Sequence, residues 1–140
     1  MRFRYAEYDT GKSGVICRPT LPITFQYRGT TIPVTDALVD TGADQTILPL
    51  AFAVQFGFKF DLMRDGIECN GAGGGKFRVF FAPEPVEFTI EQTGFRRIRW
   101  NGPVSFTLDQ PTILLGHKGC LEHLDIMFRG REKVLEVNPA

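Results

Sequence analysis

Ala37-Leu38-Val39-Asp40-Thr41-Gly42-Ala43-Asp44-Gln45-Thr46-Ile47-Leu48-Pro49 is the stretch from which the rest of the chain is read. An apolar, strand-like run leads into an acidic residue followed by Thr-Gly, and a second apolar run leads away. The pattern puts Asp40 on a tight turn that emerges from a packed sheet, at the floor of a cleft. An ionised carboxylate flanked by Val39 and Ile47 is costly unless it is hydrogen-bonded. Such placement therefore serves chemistry more often than stability.

The three letters alone carry little, as a second copy shows. Asp9-Thr10-Gly11 runs into Lys12-Ser13-Gly14 with no apolar strand on either side. It reads as a polar turn in which Asp9 accepts local backbone hydrogen bonds. Gly11-Lys12-Ser13 also hints at a phosphate-binding loop, but that motif needs a glycine where Ala6 stands.

With 140 residues, the chain suits one domain (residues 1–140), with residues 1–20 as an N-terminal extension. That extension reads equally as an extra strand, a dimer arm or an inhibitory segment. Sixteen basic and sixteen acidic residues cancel, so no global field draws the chain to nucleic acid or anionic membrane. Thirteen Phe argue against disorder, while fifteen Gly and nine Pro between short apolar runs favour a β-rich fold with many turns. No window has the apolar length of a membrane span, and residues 1–9 lack the apolar core of a signal peptide. Cys17, Cys69 and Cys120 are odd in number and unpatterned, which suits reduced thiols and a cytoplasmic location.

Two clusters invite other chemistry. His117, Cys120 and His123 fall three apart, but structural zinc wants four ligands and no further Cys or His is an obvious partner. A packed thiol and two solvent-edge imidazoles account for them, with no metal or cofactor. Arg96, Arg97, Arg99 and Trp100 form a basic-aromatic patch that a solvated strand explains as well as RNA does.

The spacing predicts strands at residues 21–27 and 31–39 joined by a turn at 28–30, then a helix from Pro49 to Phe56 stopped by Gly57. Further strand-like pieces lie at 58–62, 66–70, 76–82, 85–92, 95–100 and 104–108. Gly71 to Gly75 reads as the tip of a mobile hairpin. Residues 111–116 read as a buried strand ending in a turn, 117–123 as one or two helical turns, and 124–128 with 133–137 as a last hairpin.

Three features in order resemble the retropepsins, the retroviral-type single-domain branch of the aspartic proteases. They are Asp40-Thr41-Gly42-Ala43-Asp44 with apolar flanks, the tip Gly71-Ala72-Gly73-Gly74-Gly75, similar to the retropepsin flap, and Leu114-Leu115-Gly116, similar to the apolar-apolar-Gly element behind the active-site turn. The resemblance spans about residues 21–124. It implies a mostly β, closed β-barrel-like protomer with one or two short helices, and a peptide-cleaving site on a twofold axis. Each protomer of a homodimer would contribute one Asp40. Thr41 would orient the pair across the dimer, Gly42 would offer its carbonyl to the peptide, and Asp44 would bind substrate backbone. Gly71, Ala72, Gly73 and Gly74 would close over the peptide. Leu38, Ala43, Ile47, Pro111, Thr112 and Leu114 map onto pocket-lining positions. Many retropepsins carry Arg where His117 stands, paired with the acid at Asp44. The change implies weaker, acid-favoured dimerisation. A dimeric peptide-binding module that has lost turnover is the alternative reading, suggested by His117 and by the small, glycine-dominated tip.

Overall fold

Alternation of apolar and polar side chains along residues 20–39 gives the hairpin on which the fold is built, and the computed structural model describes it within the whole chain, Met1–Ala140. The chain opens with β1 (Arg2–Arg4) and a small hairpin of β2 (Ala6–Asp9) and β3 (Val15–Arg18). Between β2 and β3 the Asp9 carboxylate accepts the Gly11 N–H at 2.8 Å, the polar turn expected there. The main hairpin follows as β4 (Thr20–Tyr27) and β5 (Thr30–Val39), in register from Tyr27↔Thr30 to Thr20↔Leu38. Pro22 sits where that register shifts, and Pro33 on the part of β5 with no partner on its far side, both tolerable places for a residue without an N–H.

After the Asp40 turn come β6 (Ile47–Pro49) and α1 (Leu50–Phe56), which buries Ala53 and Phe56 and ends at Gly57. No strand forms at residues 58–62. The alternation of Phe58 and Phe60 comes instead from side-chain packing, while Leu62 is exposed. Phe58 lies against Tyr27 and Phe106, and Phe60 against Phe80 and Phe106. Asp61 then turns the chain by accepting the Met63 N–H.

The hairpin of β7 (Ile67–Asn70) and β8 (Lys76–Phe81) carries the glycine tip, which contains a single 3₁₀ turn at Ala72–Gly74. Gly73 and Gly74 have φ near +82° and +83°, open to glycine at little cost. Next are β9 (Val86–Ile90), β10 (Ile98–Gly102), β11 (Ser105–Thr107) and β12 (Leu114–Leu115). A 3₁₀ turn at Leu121–His123 leads into β13 (Leu124–Arg129) and β14 (Val134–Pro139). The helix expected at 117–123 is thus only its last turn, and the buried strand expected at 111–116 pairs only at Leu114–Leu115.

Nine strands form one sheet in the order β10-β9-β4-β5-β12-β6-β11-β8-β7, and β14 lies between β1 and β13 in a second. The chain is mostly β with one short α-helix, as expected. The expected closed barrel is not closed by hydrogen bonds, because the end strands β10 and β7 do not pair with each other. One continuous core fills the interior, with Phe25, Phe88 and Phe106 fully buried and Phe25 edge-on to Phe88. No helix is long and apolar enough to cross a membrane.

Candidate active site

Asp40 leaves the end of β5 at a point where three strands converge. β12 runs parallel to β5 (Leu114↔Leu38, Leu115↔Val39) and antiparallel to β6 at Ile47. The Asp40 N–H donates to Leu115 O at 3.1 Å, so the residue is pinned as it leaves the sheet. Its carboxylate then holds the turn: Oδ1 accepts the Gly42 N–H at 2.9 Å, and the Asp40 carbonyl accepts the Ala43 N–H at 3.1 Å. A hydrogen bond to an ionised carboxylate is worth about 2 kcal/mol, enough to fix the side chain. Oδ2 has no protein donor and remains available.

The 116–118 segment clasps this turn from behind. Its backbone N–H groups at His117 and Lys118 donate to Ala43 O (3.0 Å) and Asp44 O (2.9 Å), and Thr46 N–H returns a bond to Lys118 O at 3.1 Å. Gly116 makes the approach possible, since a Cβ there would fall 2.2 Å from Gln45 O. Thr46, fully buried, uses its hydroxyl twice: it accepts the Gly116 N–H at 3.2 Å and donates to Lys118 O at 3.0 Å. The sequence offered a signal for this residue, a hydroxyl inside the apolar run after Asp40, but the reading passed over it.

His117 behaves differently from the expectation. No ion pair with Asp44 forms. The imidazole Nε2 lies 2.8 Å from Thr41 O and donates to it. A carbonyl oxygen can only accept, so Nε2 carries the proton of that bond. Thr41 itself is exposed, its hydroxyl without a protein partner.

A cleft of about 530 Å³ opens over Asp40. It brings together Asp40, Gly42, Ala43, Asp44, Ile47 and Leu114 from the floor with Gly71 and Ala72 from the hairpin tip. Cys69, Asn70, Phe77, Val79, Gln45 and Gln110, which sequence reasoning did not single out, complete its wall. Gly73 and Gly74 lie at the exposed tip and do not line it. Leu38, Pro111 and Thr112 line a separate depression of about 240 Å³ beside the β2–β3 hairpin, with Tyr8, Arg18 and Asp36. Tyr8 donates to Asp36 at 3.2 Å there, and burial, then that bond, raise its phenol above the usual tyrosine value.

Arg78 holds the base of the glycine-tipped hairpin. Its guanidinium donates to Leu62 O at 3.0 Å and covers Gly66, and its N–H donates to the Asp109 carboxylate at 3.0 Å. Cys120 is buried in the core, and desolvation pushes its thiol up to about 12, so it is a packing group. His123 stacks on Trp100, whose indole N–H donates to Gly119 O at 2.7 Å. No three His, Cys, Asp or Glu side chains are grouped as a metal site would need.

No protein-family model matches the sequence, and no curated protein does. Among solved structures, the chain is similar to a retropepsin-like aspartic protease from Rickettsia conorii, at 19% identity and a TM-score of 0.54, over 99% of this chain and 98% of that one. It also aligns with EIAV protease complexed with the inhibitor HBY-793, at 26% identity and a TM-score of 0.41, over 79% and 88% of the two chains. The end-to-end match to the rickettsial structure, together with the strand order around Asp40, identifies the fold of this chain as retropepsin-like.

Proposed function

We propose that the chain is an aspartic endopeptidase of the retropepsin type, active as a homodimer on extended polypeptide segments. The observation that carries this reading is a rigidly held carboxylate, Asp40, with one free oxygen, on the floor of a cleft roofed by a glycine-tipped hairpin. The chain has a single strand-embedded Asp-Thr-Gly, so a twofold partner supplies the second carboxylate. Two carboxylates about 3 Å apart cannot both ionise and hold one proton between them.

Chemistry then follows from the pair. The ionised Asp40 takes a proton from a water lodged between the two side chains, and that water attacks the scissile carbonyl. The protonated Asp40 donates to the carbonyl oxygen, and the pair afterwards protonates the leaving nitrogen. Thr41 hydroxyls bind across the twofold axis. Gly42 O and Asp44 bind the peptide backbone, while residues 71–74 act as a flap that adds the peptide as a strand and excludes water. Ala43, Ile47 and Leu114 supply an apolar floor. Leu38, Pro111 and Thr112 line the separate depression and have no role in this cleft within one chain.

Incubating a mixed peptide library at acid to neutral pH with the wild type and with Asp40→Asn tests the reading. Cleavage by the wild type, at least 10³-fold reduced in the variant, is the expected result. Binding of peptides with no Asp40-dependent cleavage at any pH would instead mark a non-catalytic peptide-binding module.

A further inference from the structure

Of the side-chain nitrogen and oxygen atoms shut from solvent, Gln110 Nε2 alone has no hydrogen-bond partner. Folded proteins pair nearly all such atoms, because an unmet buried donor is destabilising. Gln110 is also one of the residues lining the Asp40 cleft, whose other members include the apolar Ile47, Phe77, Val79 and Leu114. Its Oε1 has no protein donor, so both ends of the carboxamide are unengaged.

The backbone that carries this side chain is fixed. Asp109 accepts the Arg78 N–H of β8 at 3.0 Å, and its own N–H donates to the Thr107 hydroxyl at 3.2 Å. Thr107, buried at the end of β11, donates in turn to Arg78 O at 2.8 Å. Pro111 follows, and a residue before proline is held extended. This wall of the cleft is thus tied to the hairpin that roofs it, and the Gln110 side chain is the part left to move. Its last torsion joins a tetrahedral carbon to a planar amide and is soft, so turning it carries the N–H from the wall into the cleft.

We propose that Gln110 is a specificity-determining residue that reads a carboxamide side chain, Gln or Asn, on the bound peptide. This deepens the peptidase reading and rests on it. A peptide that joins the roof hairpin as a strand engages its backbone N–H and C=O groups in the plane of the sheet. Its side chains stand out of that plane, toward the walls, so a wall residue meets a side chain and not the backbone. The N–H and C=O of Gln110 complement the C=O and N–H of a second primary amide, and both bonds form at once. An apolar side chain leaves the Gln110 donor as unmet as in the free protein, and a carboxylate has no N–H for Oε1.

A library of extended peptides in which each position in turn carries Gln, Asn, Glu or Leu tests this in two arms. One arm measures cleavage by the wild type, and the other measures binding to Asp40→Asn by fluorescence polarisation. At one position Gln or Asn should be favoured over Leu and Glu by about tenfold, as one or two neutral hydrogen bonds give. Gln110→Leu should bring that ratio to about one, through KM and not kcat, with Leu peptides unaffected. Its urea midpoint should hold or rise, since the change removes an unpaired buried donor. A lower midpoint would mean that Gln110 supports the fold, and would remove the proposal. Wild-type cleavage without the preference, a preference for Glu, or a preference that survives Gln110→Leu overturns the assignment and leaves the protease reading standing. A Gln110-dependent preference in binding to Asp40→Asn, with no cleavage by the wild type, keeps the assignment and removes the protease reading. Absence of both binding and cleavage overturns the two together.

Discussion

Thr46 ties the segment after the Asp40 turn to the 116–118 segment with one oxygen atom. Its hydroxyl is the only acceptor for the buried Gly116 N–H, and it adds a second donor to Lys118 O. Thr46→Val keeps the shape and removes the acceptor, leaving a buried amide unsatisfied at a cost of about 1–3 kcal/mol. The urea midpoint should fall accordingly, and Thr46→Ser should recover most of the loss. This role was hidden in the sequence because a threonine in an apolar run reads as a strand former, and its partner lies 70 positions away. Asp40 was legible because its own neighbours make its turn, through Gly42 and Ala43. His117 was legible as an unusual residue at the site, but its partner was not. Thr41 O and the Asp44 carboxylate lie three residues apart on one turn, and only the path of the 116–118 segment selects the carbonyl.

Among the elements, the three-stranded sheet of β1, β14 and β13 is fastened by Glu136, which pairs with Arg129 at 2.6 Å and with Arg2 at 3.3 Å. The Arg129 hydrogen bond holds the Glu136 carboxyl below its ordinary value of 4.5. A lowered folded-state value means that stability is present above the unfolded value and is lost as pH falls through the folded one. The melting temperature of the wild type should therefore exceed that of Glu136→Gln at about pH 6, with the gap closing as pH drops below 4.5. A gap independent of pH would mean that the side chain acts by packing and not by charge. At this scale the hairpins were readable because short turns and alternation define them locally. Residues 58–62 were misread because a period of two can mark side chains inserted into a core as well as a paired strand. Residues 95–97 precede the observed β10, since Gly94 and Phe95 belong to the turn that precedes it.

For the whole molecule, the proposed protease reading turns on stoichiometry, because one carboxylate per chain would make each chain half a site. The sequence carried this directly, because only one of its two Asp-Thr-Gly runs lies between apolar strands. If two protomers share each catalytic centre, wild type and Asp40→Asn subunits should exchange into mixed dimers that hold one acid each and cannot share a proton. Adding an equal amount of Asp40→Asn to wild type, well above the dimer dissociation constant, leaves only half of the wild-type protomers paired with their own kind. Peptidase activity should then fall to about half of its starting value, and further with greater excess, as random pairing requires. Self-sufficient protomers would be unaffected by any amount of the variant. A fall that appears only over the time needed for subunit exchange would separate mixed-dimer formation from simple competition for substrate, because an inactive subunit that merely binds peptide acts as soon as it is added.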